Sequence, residues 1–139
     1  MRNTEFLEDP ISAPLRGETS LIVFSGGKIV FQSGGKWLHP LFELEKEIAR
    51  NSLNPEFLSL HDKIAGGGAA ALICRMGIKR CHIDLISKPA VELFEKHEVD
   101  FTYDTLVDRI QCKTEELVDI SRDLDEIYEM LSKRAGLTS

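Results

Sequence analysis

A chain of 139 residues, 42% hydrophobic and 29% charged, is long enough for one domain with a buried core, and too mixed for a disordered or fibrous protein. Its net charge of -6 and pI near 5.2 argue against nucleic acid as a partner, because phosphate binding needs clustered Lys and Arg. No apolar run approaches the ~20 residues that span a bilayer, and no signal core opens the chain, so a soluble cytoplasmic protein without membrane contact is expected.

Residues 1–17 read as a flexible arm, because Pro10, Pro14 and Gly17 interrupt any regular element. Residues 18–139 read as a single domain. Its first signal is a hairpin: Leu21-Ile22-Val23-Phe24 and Ile29-Val30-Phe31 flank Gly26-Gly27, and glycine accepts the positive φ of a tight turn. Pro40 suits the first turn of a helix, and Leu41, Leu44 and Ile48 then recur at helical spacing. A short strand, Phe57-Leu58-Ser59-Leu60, runs into the turn His61-Asp62-Lys63-Ile64-Ala65-Gly66-Gly67-Gly68. From Ala69 to Met76 the pattern is apolar almost all round, which marks a buried helix. Cys81 to Ile86 reads as the next strand, Ser87 as the cap of a helix with Pro89 in its first turn, and Val99 to Tyr103 as a last strand. Leu117, Ile120, Leu124, Ile127 and Leu131 then repeat at a three-four spacing on an amphipathic helix of about 114–135. That helix either covers the rest of the domain or forms a homodimer seam. The expected class is α/β: a three-layer α/β/α arrangement, with a mixed sheet of about five strands opened by the hairpin and helices on both faces.

The turn after Leu60 is the leading ligand-binding candidate. Three consecutive glycines, Gly66, Gly67 and Gly68, leave backbone N–H groups uncovered at a helix start, where the macrodipole favours an anion. Lys63 adds a point charge and Asp62 an acceptor for a ribose or amide. Ligands in open α/β sheets sit outside the carboxyl ends of strands, as this turn does. The same glycines also let a buried helix approach its sheet closely. The run Gly34-Gly35-Lys36-Trp37, with His39 just beyond it, precedes the neighbouring helix and reads as the opposite wall of the same cleft, where Trp37 would either stack on a planar ligand or close the edge of the core. His82 and Asp84 share one strand face, which reads as polar surface in preference to a metal pair; no metal site and no cofactor are expected. Cys74 and Cys81 fall in apolar runs and read as core, while Cys112 stands outside one, as a candidate nucleophile or a packing residue.

The stretch Asp62-Lys63 followed by Gly66 and Ala69-Ala70-Ala71, then Ser87, Pro89 and Ala90, then Cys112 and Glu115, resembles domain-of-unknown-function family 1893, small proteins of cytidine-deaminase-like fold. The match spans about Leu21 to Glu116; it departs where Gly67 and Gly68 replace an expected basic residue. The resemblance implies a deaminase-like layout, in which zinc would be held by His-x-Glu at one helix start and Pro-Cys-x-x-Cys at the next. Here the first start reads Trp37-Leu38-His39-Pro40-Leu41 and the second Asp62-Lys63-Ile64-Ala65-Gly66, so zinc-dependent deamination is not expected. Three functions remain: a binding module for a small anionic or nucleotide-like ligand, a thiol-dependent transferase using Cys112, or a dimeric interaction protein.

Overall fold

The computed structural model describes residue 11 and residues 13–110 and 118–136. Among these residues five strands and four α-helices follow one another: β1 (Leu21–Ser25), β2 (Lys28–Ser33), α1 (His39–Arg50), β3 (Leu58–Ala65), α2 (Gly67–Met76), β4 (Arg80–Ser87), α3 (Lys88–Lys96), β5 (Asp100–Val107) and α4 (Leu124–Arg134). The hairpin forms where expected. Gly26 and Gly27 take φ of 58° and 81°, a two-residue turn that a Cβ at either position would strain. Pro40 sits in the first turn of α1, and Ser87 caps α3 by accepting the Ala90 N–H at 3.3 Å.

The strands form one mixed sheet in the order β2-β1-β3-β4-β5. β1 is antiparallel to both neighbours, and β3, β4 and β5 run parallel. β2, β3, β4 and β5 therefore share one direction and succeed one another across the sheet, so right-handed crossovers carry α1, α2 and α3 to the same face. Packing agrees, since α2 meets α1, α3 and α4. Leu21, Val23, Leu60 and Ile83 point from the sheet into that helical layer, and all are fully buried. On the second face Ile11 packs against Phe24 and Ile22. No helix on that second face is among the described residues. No helix among the described residues is long and apolar enough to cross a membrane.

Two elements depart from expectation. β3 runs eight residues to Ala65, so His61 to Ala65 are strand and not turn. The ladder explains this: Leu21 pairs with Asp62 on one side and Ile64 with Leu85 on the other, and bonding on both edges overrides the weak strand preference of His-Asp-Lys. α4 begins at Leu124, later than the hydrophobic spacing predicts. Asp119 accepts from both the backbone and the hydroxyl of Ser121, which fixes a turn, and Asp123 then caps the helix through the Glu126 N–H at 2.8 Å. Ile127 and Leu131 are buried within the chain, so this part of the apolar stripe covers the domain's own core.

Arg75 joins three helices at their solvent edge. It pairs with Glu45 of α1 at 3.0 Å and Asp125 of α4 at 2.9 Å, and lies 3.7 Å over the Tyr128 ring. These partners are partly exposed, so Arg75→Ala is expected to cost only about 1 kcal/mol in urea unfolding.

Candidate functional site

A cavity of about 550 Å3 opens between the starts of α1 and α2, at the carboxyl end of β3. Its wall on the β3–α2 side is Asp62, Lys63, Ile64, Gly66, Gly68 and Ala69; the opposite wall is Gly34, Gly35, Lys36, Trp37, Leu38, Pro40 and Leu41. Gly17, Glu18 and Ser20 close a third side, and Ile110 adds an apolar contact. The two helix starts are held together by the hairpin ends. Ser20 Oγ donates to Gly35 O at 2.8 Å, and the Lys63 N–H donates to Ser20 O at 2.9 Å. Gly34 is required by this closure, because a Cβ there would lie 2.9 Å from Glu18 O.

The α2 start lacks a side-chain cap. Gly66 is the N-cap residue with no hydroxyl or carboxylate to offer, and the first intrahelical bond is Ala70 N–H to Gly66 O. The Gly68 and Ala69 N–H groups, which have no intrahelical acceptor, thus belong to residues on the cavity wall. Gly67 is buried in the first turn and is not part of that wall.

Asp62 is the one carboxylate of this wall inside the fold, 9% exposed. Burial pushes its pKa up to about 7; the Ile64 and Lys63 backbone N–H groups pull the other way, and Asp84 across the sheet adds a small upward push. Near neutral pH its carboxyl is therefore present in both forms. Strand alternation places Lys63 on the sheet face opposite Asp62; Lys36 is the second lysine of the lining.

Trp37 stands on the rim, 39% exposed, with φ of 59°, a conformation rare for a bulky side chain. Its ring meets His39 edge-on at 5.4 Å. His39 is exposed and is not among the residues of the cavity wall. Cys112 belongs to residues 111–117, which lie outside the described residues. Cys81 is fully buried; Cys74 packs against the core, and burial pushes its thiol up to about 12, which leaves it unreactive. Sequence reasoning missed Glu18 and Ser20 as cavity residues, whereas Gly34, Gly35, Lys36 and Trp37, read from the sequence as the opposite wall of the cleft, are among the lining residues.

The model of the domain of unknown function DUF1893 matches residues 15–134. The crystal structure of a DUF1893 family protein from Thermotoga maritima superposes with a TM-score of 0.76 at 29% identity, covering 84% of this chain and 81% of that one. No curated protein matches the sequence. With the match running from the cavity's Gly17 side through the last helix, the chain belongs to the DUF1893 family.

Proposed function

We propose that this protein binds a small anionic or nucleotide-like ligand in the cavity between the α1 and α2 starts, without zinc-dependent deamination. The observation that carries this reading is the coincidence, in one cavity, of a helix N-terminus without a side-chain cap and a buried acid whose pKa is raised to about 7. The helix start supplies N–H groups and the positive end of a dipole to an anionic oxygen. Asp62 in its neutral form donates a hydrogen bond to such an oxygen, and in its charged form repels it. Trp37 offers an aromatic face at the rim for a planar group. The volume suits a ligand of nucleotide size.

The strand order, with β1 antiparallel to the other four, supports a cytidine-deaminase-like layout. That layout implies zinc at these helix starts, and the residues do not fit it. No cysteine or histidine lines the cavity among the described residues, and Leu41 stands where the proton-shuttling Glu would.

Thermal-shift screening against nucleotides and phosphorylated metabolites tests the reading. A stabilising ligand is expected whose affinity falls about tenfold or more in Lys36→Ala or Lys63→Ala, as loss of a charge-assisted hydrogen bond implies. For a phosphodiester ligand of constant charge, affinity should also fall as pH rises through about 7, when Asp62 ionises. A ligand-induced shift indifferent to both lysines and to pH removes the anion-binding reading.

A further inference from the structure

Alternation along the three parallel strands sends a second set of polar side chains to the sheet face opposite the cavity. The register sets His61 of β3 beside His82 of β4, and His82 beside Thr102 of β5. Asp84 and Asp104, each two residues further along, share that face. His61 Nε2 lies 2.6 Å from Asp84 Oδ1; His82 Nε2 lies 3.5 Å from the same oxygen and 3.2 Å from Asp104 Oδ1. His61 and His82 are 1% and 4% exposed, while the two carboxylates open toward solvent.

His82 Nε2 is buried and makes no hydrogen bond of acceptable geometry among the described residues, although oxygens of two carboxylates lie within 3.5 Å of it. Its other ring nitrogen, Nδ1, sits 2.7 Å from Thr102 Oγ1. With Nδ1–H donating to Thr102, Nε2 turns its lone pair toward two negative oxygens. A proton or a metal cation on Nε2 turns that arrangement from repulsive to attractive, and the convergence of a second imidazole on the same oxygen suits a metal. A ring held by one nitrogen while the other points into a group of donors is the usual posture of a metal-ligating histidine.

We propose that His61, His82 and Asp84, completed by Asp104, bind a divalent transition metal of the zinc class, clipping β3, β4 and β5 together. One donor atom from each of the first three lies within 4.8 Å of the others. A tetrahedral ion with bonds of 2.0–2.1 Å spaces its ligands about 3.4 Å apart. The two His82 distances already match this, the His61–Asp84 contact must open by about 0.8 Å, and Asp104, 3.2 Å from His82 Nε2, must close on the other donors to complete the set. Two imidazoles with carboxylates select zinc, cobalt or nickel over magnesium or calcium, which take oxygen ligands. Sequence reasoning reaches His82 and Asp84 as a same-face pair; His61 arrives only through the β3–β4 register.

Cobalt(II) titration of the untagged full-length chain tests this, read by visible absorption, with zinc stoichiometry measured after dialysis. The expected result is one metal per chain, a four-coordinate cobalt spectrum without thiolate charge-transfer bands, and competition by zinc. His82→Gln and Asp84→Asn should each weaken binding about tenfold or more, and Thr102→Val by a smaller factor. Lys36→Ala should leave it unchanged, which separates this site from the anion cavity. Circular dichroism of Asp84→Asn, whose side chain is partly exposed, guards against a loss that reflects misfolding. No metal retained, thiolate bands, or binding indifferent to His82→Gln and Asp84→Asn would overturn the assignment.

Discussion

Asp62→Asn is expected to make the protein more stable at pH 8 by about 4 kcal/mol, while flattening its stability between pH 4 and 7. In the unfolded chain the carboxyl titrates near 3.8; in the folded chain burial raises it to about 7. Below 3.8 both states carry the proton, and the group costs nothing. Between about 4 and 7 only the folded state holds it, so stability falls as pH rises. Above 7 the folded protein carries a buried carboxylate, and the full penalty remains, at about 1.4 kcal/mol for each unit separating the two values. Asparagine is neutral throughout and of similar size, and its amide oxygen still accepts from the Ile64 and Lys63 N–H groups. Urea unfolding of both proteins at a series of pH values checks this. Parallel profiles would mean that Asp62 ionises like an exposed acid. The variant also mimics the neutral form permanently, so ligand affinity at the cavity should lose its dependence on pH near 7. An acid kept at such a cost in the fold is the pattern expected where stability is traded for binding.

What was legible in the sequence was local. Gly26-Gly27, Pro40 and Ser87 each announce a conformation that their own chemistry requires, and each stands where expected. The glycine-rich helix start was equally readable, because Gly66 and Gly68 mark a segment without side-chain caps. His61-Asp62-Lys63 misled for the opposite reason. Three polar residues before a glycine run resemble a turn, and only pairing with β1 and β4 on both sides makes them a strand. The start of α4 had a local signal that the hydrophobic spacing obscured: Asp123 with Glu126 three residues on is a capping pattern. The rest was not local at all. Glu18 and Ser20 join the cavity from outside the runs that mark its two walls, and His61 meets Asp84 from 23 positions away. No spacing in a single sequence carries those distances; strand order and register create them.

Phe94→Ala is expected to cost 3–5 kcal/mol, the range for a deleted core aromatic, and by the same amount at every pH. Phe94 is fully buried on α3, with its ring 5.4 Å from that of Phe101 on β5. Phe101 stands beside Cys81, itself fully buried, so the residues around the vacated space are held by the β4–β5 ladder and cannot collapse freely. Thermal and urea unfolding measure the loss; a cost below about 1 kcal/mol would mean that α3 repacks over the sheet. None of these residues lines the cavity, which lies at the α1 and α2 starts. At temperatures where the variant remains folded, it should therefore bind the cavity ligand as the parent does. Asp62→Asn moves stability and the pH dependence of binding together, whereas Phe94→Ala moves stability alone. That difference follows from where each side chain sits: one faces the cavity from the end of β3, and the other fills the interior between α3 and β5.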